Sequence, residues 1–289
     1  MIVVTGGNGG LGREIVRALQ ERIGNKFVVT VRDTGKAADL AAQGLAVRAG
    51  DFDKPDEVAR AIDGAETILL MATLGSTEQR VKQYKNVIDA AKRQGTKRIA
   101  FVGYVADQPH SPFPSTPSIL QTLAYMKEQG FAPINLRNGN YAEAGLMTAT
   151  RAVQSGKIVS PAGDGKISYV TRRDLARATA RILTESGNEG KAFALTGPKA
   201  YGHAELAAML SEATGKKIVY ENISPESYKA QLEAANTPPG LVAFMTGAAA
   251  TVKAGLLAEI SYTIGDITGI PAEDGLAFIR REVLKTVKA

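Results

Sequence analysis

The chain has 289 residues, 44% hydrophobic and 22% charged, which is enough for one large α/β domain or a nucleotide-binding domain with a smaller lobe. It has no cysteine, which excludes disulfides, thiolate nucleophiles and cysteine-based zinc sites; its two histidines, His110 and His203, stand too far apart in sequence to suggest a metal site, so none is expected. The net charge of +6 comes from basic residues spread along the chain, as in Arg172-Arg173, Lys216-Lys217 and Arg280-Arg281, a pattern read as solvated helix faces, with attraction to an anionic cofactor or to nucleic acid as the alternative.

The first half alternates strand and helix signals. "MIVVTG" is an apolar run ending in glycines, and "LGREIVRALQERI" places Leu11, Ile15, Val16 and Leu19 on one helical face. "KFVVTVR", "LAVRAGD", "TILLMAT" and "KRIAFVGY" are further strands. Helices are predicted over "TGKAADLAAQG", over "PDEVARAID" with Pro55 in its first turn, and over "RVKQYKNVIDAAKRQG", closed by Gly95. "DQPHSPFPSTPS", with four prolines in twelve residues, reads as a loop without regular structure. Then come the helix "ILQTLAYMKEQG" and the strand "FAPINLRNGNY", which runs into a turn. A glycine turn, short strand and helix follow in "SPAGDGKISYVTRRDLARATARILTE", then the strand "EGKAFALTGP", the helix "GHAELAAMLSEATG" and the strand "KKIVYENIS". Such repetition predicts an α/β fold, a doubly wound parallel sheet with ligands at the carboxyl ends of its strands. No apolar run is long enough to span a bilayer, and the strand beginning at Met1 leaves no room for a signal peptide, so a cytoplasmic protein is expected.

The stretch from Thr5 to Gly12, "TGGNGGLG", reads two ways. Gly7, Gly9 and Gly12 fit G-x-G-x-x-G, whereas Gly6, Gly9 and Gly12 fit G-x-x-G-x-x-G. Either way, a glycine turn between a strand and a helix lets the backbone approach a pyrophosphate at a positively polarised helix start. Thr5, Gly6, Gly7, Asn8, Gly9, Gly10, Leu11 and Gly12 are therefore expected to hold a dinucleotide. The second strand ends in Arg32, where an NAD-binding fold carries a carboxylate for the ribose. Its planar fork suits a 2′-phosphate and Lys36 adds charge, so NADPH is expected over NADH; the alternative is that Asp33 serves the ribose of NAD. Asp51 and Phe52 would flank the adenine, and Met71, Ala72 and Thr73 would lie under the ribose and pyrophosphate.

"TGGNGGLG", "VRD..KAADLAAQGLAVRAGDFD", "LRNGNYAEAGL" and "AGDGKISYVTRRDLARATARIL" resemble, in order and spacing through most of the chain, the NmrA-like branch of the atypical short-chain dehydrogenases. Within it, the chain resembles bacterial NAD(P)H:quinone oxidoreductases and triphenylmethane reductases. The resemblance implies the G-x-x-G-x-x-G reading, phosphate contacts from Gly6 to Leu11 and from Arg32, and a Rossmann-type domain with a smaller C-terminal α/β lobe. The nucleotide domain is expected over 1–140, with about 166–200 packing back on it and 141–289 forming mainly the substrate-side lobe. Met71 to Thr73 would line the cofactor cleft, and Asn138, Gly139 and Tyr141 would border nicotinamide and substrate. Two positions depart from the family: Asn140, where an aromatic residue is frequent, and Ala124, where a lysine is frequent.

No tyrosine begins the Tyr-x-x-x-Lys pair that protonates carbonyls in ordinary short-chain dehydrogenases; Tyr169 with Arg173 comes nearest. A quinone or a cationic dye is already electrophilic, so placement of a hydride donor suffices, with protons from water. Asn138, Tyr141 and Tyr104 are the candidates for shaping that reaction, the tyrosines by stacking or by donating a hydrogen bond, with plain packing as the alternative. His110 is read as a solvated loop histidine, or else a proton source. The expected function is NADPH-dependent reduction of a quinone or similar planar acceptor. The alternative is an NADP(H)-binding redox sensor without turnover, which would need a protein partner or a second copy of the chain. Nucleic-acid binding is set aside, since no helix-turn-helix or aromatic RNA-binding motif accompanies the basic charge.

Overall fold

In the computed structural model, which describes residues 1–288, six apolar runs become β1 (Ile2–Thr5), β2 (Phe27–Val31), β3 (Ala46–Ala49), β4 (Thr67–Leu70), β5 (Arg98–Tyr104) and β6 (Ile134–Asn138). The helices between them are α1 (Gly10–Ile23), α2 (Ala38–Ala42), α3 (Pro55–Ala61), α4 (Thr77–Arg93) and α5 (Thr116–Glu128). The chain continues through β7 (Asn140–Tyr141), α6 (Ala142–Ser155), β8 (Lys157–Ser160), β9 (Lys166–Ile167), β10 (Tyr169–Val170), α7 (Arg172–Thr184) and β11 (Ala192–Leu195). It ends with β12 (Tyr201–Gly202), α8 (His203–Thr214), β13 (Val219–Asn222), α9 (Pro225–Ala234), α10 (Pro239–Lys253), α11 (Thr263–Thr268) and α12 (Gly275–Lys288).

Seven strands form one sheet in the order β11-β6-β5-β4-β1-β2-β3, and every pairing is parallel. Successive strand residues bury on opposite faces. Val4, Leu69, Ala100 and Val102 pack with α1 and α7. Val3, Ile68, Leu70, Ile99 and Phe101 pack with α3, α4 and α5. A doubly wound Rossmann-type sheet results, and its order reverses at β1, which has β2 on one side and β4 on the other. The crevice at the carboxyl ends of β1 and β4 is where such folds bind ligands. α7 and β11 belong to this body. A separate core of α6, α8, α10 and α12 with β8 and β9 builds a smaller lobe over the ends of β5 and β6.

Two elements differ from the reading of the sequence. The proline-rich stretch is not loop to its end, because α5 begins at Thr116 and Pro117 stands in its first turn, where no amide donor is needed. The helix α6 was not anticipated. Its buried positions are Ala142, Gly145, Ala149 and Ala152, correctly spaced for one face but too small to register as an apolar stripe. Gly145 is needed there, since a Cβ would lie 2.7 Å from Cδ1 of Ile279 on α12. Among the described residues, no helix is long and apolar enough to cross a membrane, and no group of three or more His, Asp or Glu is placed to hold a metal.

Candidate cofactor and acceptor site

The turn after β1 folds around one carbonyl. Gly6 adopts a left-handed φ of 61°, its oxygen accepts from the Gly9 N–H at 3.1 Å, and a Cβ at Gly12 would come within 2.4 Å of that same oxygen. Gly6, Gly9 and Gly12 are thus coupled through one carbonyl, in keeping with the G-x-x-G-x-x-G reading, and a Cβ at Gly12 would also come 2.9 Å from Gly7 Cα. Gly7 answers to a different neighbour, Val29 on β2, whose Cγ1 would lie 2.3 Å from an added Cβ. Gly9 is different again: a Cβ there would meet only Gly6 O, at 3.5 Å, so the protein's own packing does not demand glycine. The start of α1 has no side-chain cap and no acidic residue in its first turn, which leaves its N–H groups to an anion. The Leu11 side chain is buried in the core, so only its backbone faces the turn.

Across the reversal point, Thr5 is fully buried; its hydroxyl donates to Leu69 O at 2.8 Å and accepts from the Met71 N–H at 3.0 Å. It clamps β1 to β4 and sets Met71 against Gly6, leaving 3.3 Å to a Cβ there. Ala72 is exposed. Thr73 donates its N–H to the buried Tyr84 hydroxyl at 2.9 Å, while its own Oγ1 is buried and unpaired. After β3, Asp51 donates its backbone N–H to Glu57 at 2.9 Å, and the Phe52 carbonyl accepts from Asn86 of α4 at 2.8 Å.

At the end of β2, Arg32 is exposed and makes no hydrogen bond or ion pair among the described residues. The Asp33 carboxylate is engaged locally, accepting from the Gly35 N–H at 3.0 Å and facing Lys36 Nζ at 3.9 Å. The competing carboxylate is therefore turned into its own loop while the arginine is free. Arg13, which the sequence did not single out, crosses from α1 to this segment. Its guanidinium donates to Asn8 Oδ1, to the Lys36 carbonyl at 3.3 Å and to both carboxylate oxygens of Asp39, at 2.5 and 3.1 Å.

The other half of the crevice lies at the ends of β5 and β6, where Tyr104 and Asn138 stand opposite each other in register. The Tyr104 hydroxyl donates to Asn140 Oδ1 at 2.9 Å, and its ring stacks on Phe113 with centroids 4.3 Å apart. Phe244 of α10 meets Phe113 edge-on at 5.8 Å. Asn138 is 1% exposed, and both its amide oxygen and its amide nitrogen lack a hydrogen-bond partner. Gly139 is fixed by packing: its N–H donates to Leu195 O at 2.8 Å, and a Cβ would come 3.2 Å from Thr196 Cα. Tyr141 lies with its ring 5.3 Å from the Arg172 guanidinium. That guanidinium also borders Gly10, 3.1 Å from the place of a Cβ, and the Arg172 N–H donates to Glu143 at 3.1 Å. Arg172 thus joins the glycine turn to Tyr141. The sequence showed it only as half of a basic pair, although it directly follows Thr171, the cap of α7.

Burial pushes the Tyr104 phenol far above the usual tyrosine range. It also raises Tyr141, against the opposing pull of the Asn138 amide, which lies beside the phenol without forming a well-aligned hydrogen bond, and of the Arg172 cation. Both are neutral hydrogen-bond donors at physiological pH. Tyr169 is buried in the small-lobe core, packed against Gly145, and Arg173 is exposed, so that pair is no proton donor to the crevice. His110 is exposed in its loop, and Ala124 lies on the exposed face of α5.

A family model described as NAD(P)H-binding matches residues 6–186. Quinone oxidoreductase 2 of Escherichia coli (strain K12) is 35% identical over 273 residues, 94% of each chain. The NAD(P)H azoreductase of Xenophilus azovorans is 31% identical over 280 residues, 97% of each. Among solved structures, the NADPH-dependent quinone oxidoreductase of Escherichia coli complexed with NADPH superposes with a TM-score of 0.93 at 33% identity, covering 98% of this chain and 100% of that one. The Citrobacter sp. triphenylmethane reductase complexed with NADP(H) gives a TM-score of 0.88 at 30% identity, covering 99% and 100%.

Proposed function

The chain belongs to the NAD(P)H-binding family, in the NmrA-like branch of the short-chain dehydrogenases, and from that premise we propose that this oxidoreductase passes hydride from NADPH to a quinone or a similarly planar, electrophilic acceptor. The observation that carries the reading is the order of groups along the crevice. An uncapped helix start suits a pyrophosphate, an unpaired arginine suits a 2′-phosphate, and a buried, unpaired asparagine suits the carboxamide of a nicotinamide. When bound, the reduced nicotinamide supplies the hydride.

The residues of this chain do the placing. Gly9 and Gly10 admit the phosphates, Arg32 with Lys36 selects the phosphorylated ribose, and Asn138 fixes the turn of the nicotinamide ring by pairing with its amide. Tyr141, held by Arg172, and Tyr104, backed by Phe113, wall the space where a flat acceptor would stack. Hydride and a proton from water together convert a quinone to a hydroquinone, so no side-chain acid has to give up a proton. An isolated aliphatic ketone needs such an acid, and the Tyr104 and Tyr141 phenols that line the crevice are poor ones, because burial holds both above the usual tyrosine range. The relatives named quinone oxidoreductase and azoreductase support turnover rather than sensing, and planar acceptors in particular. The compartment this reading implies is the cytoplasm. Its test is steady-state oxidation of NADPH and of NADH, each with 1,4-benzoquinone, 1,4-naphthoquinone and cyclohexanone. The quinones with NADPH should turn over fastest, and cyclohexanone should not react. Equal rates for quinone and ketone would reject it.

A further inference from the structure

Arg13 makes more contacts than surface stability requires. It is 39% exposed and its partner Asp39 is 54% exposed, and an ion pair in that setting contributes little to folding. Its fork, however, joins the two walls of the adenosine end. One wall is the glycine turn, reached through Asn8 Oδ1. The other is the segment after β2, reached through the Lys36 carbonyl and the Asp39 carboxylate. That second wall carries Arg32 and Lys36, and it is otherwise held by the local Asp33–Gly35 turn, the edge of the sheet and the burial of Ala37 and Leu40 in the core.

We propose that Arg13 is a positioning residue for cofactor choice: by latching Lys36 and Asp39 to Asn8, it holds the 2′-phosphate-reading segment at a fixed distance from the pyrophosphate turn. The proposal rests on the reading of Arg32 given above and adds the element that pre-orders it. A segment ordered before binding spares the cofactor the cost of ordering it. NADPH touches both walls, with pyrophosphate at one and 2′-phosphate at the other, so it reads their spacing. NADH lacks the second phosphate and does not. Asp39 is the other jaw of the latch, so removing either member should have the same consequence.

The test is a double-mutant cycle with Arg13→Ala, Asp39→Ala and the pair, reading NADPH and NADH affinity by calorimetric titration and amide hydrogen exchange of residues 33–42 in the cofactor-free protein. Each single variant should weaken NADPH three- to ten-fold, leave NADH within two-fold and speed exchange in that segment. The double variant should be no worse than either single one, because both break one device. Arg13→Lys, which keeps charge but loses the fork, should recover only part. Equal losses for both cofactors in Arg13→Ala would overturn the proposal. So would tighter NADPH binding in Asp39→Ala, which would mean that Arg13 meets the phosphate itself. A wild-type protein that binds both cofactors alike would remove the Arg32 reading and the latch together. Absence of quinone turnover would touch neither, because the measurements are of binding.

Discussion

The two halves of the crevice are finished to different degrees. At the adenosine end the protein's polar groups pair with one another: Gly6 O with Gly9, Asp33 with Gly35, Arg13 with Asn8 and Asp39. What that end offers is backbone N–H groups and one free arginine. At the other end, Asn138 is buried without a well-formed hydrogen bond, opposite Tyr104 in the sheet and beside Tyr141. A buried amide without a well-formed hydrogen bond destabilises a fold, and a ligand amide would complete it. On the proposed placement of the cofactor, the adenosine end anchors it, and the other end is where binding and chemistry are decided together.

The sharpest way to break this contrast lies within the glycine turn. Gly9→Val should reduce affinity for NADPH and NADH by about 100-fold or more while lowering thermal stability far less than Gly12→Val does, because its Cβ clears the protein but fills the phosphates' approach. Gly12→Val should also destabilise the fold, by about 1–3 kcal/mol or more, since its Cβ would overlap Gly6 O. Matching melting curves for the two variants would show that the turn is not the rigid unit described. Next in size is Arg32→Ala. The loss of a charged hydrogen bond of about 1.5–3 kcal/mol should weaken NADPH roughly ten- to hundred-fold and NADH hardly at all, as titration would report.

The acceptor end should respond in shape rather than charge. Tyr141→Phe should keep most of the turnover with 1,4-naphthoquinone, whereas Tyr141→Ala should lose up to about ten-fold, because an aromatic wall contributes about 0.5–1.5 kcal/mol. Similar losses in both would mean that the hydroxyl, not the ring, does the work. Asn138→Leu should raise the melting temperature by about 2–4 °C for about 1 kcal/mol of relieved desolvation, while slowing turnover. A lower melting temperature would show that the amide is satisfied within the fold. The smallest expected effect is of pH. Burial raises the phenols of Tyr104 and Tyr141, so the neutral form holds below the ordinary tyrosine value and is lost only above it. Turnover should therefore be flat between about pH 7 and 9.5. A falling limb near pH 8 that Tyr104→Phe abolishes would contradict this.

The same contrast explains what could be read from the sequence. The glycine turn and Arg32 belong to one strand–helix–strand unit, where chemistry and spacing are contiguous, so periodicity and turn residues revealed both. "LRNGNY" was legible only through its resemblance to relatives, for nothing in its spacing reveals a buried asparagine without partners. Arg172, Phe113 and Phe244 reach the crevice from separate helices and a loop, and each looks like an ordinary surface cation or core aromatic until the chain is folded. Arg13 was hidden differently: it directly follows the recognised motif, but its partners Lys36 and Asp39 lie beyond β2.

The most direct test of positioned hydride transfer is single-turnover oxidation of NADPH by 1,4-naphthoquinone under anaerobic conditions, with the dihydronicotinamide deuterated on one face or the other. On the proposed placement, the crevice would wall one face of the ring, so a primary isotope effect should appear for one label only. Oxidation without an isotope effect from either label, or no oxidation of NADPH by a protein shown to bind it, would contradict the account.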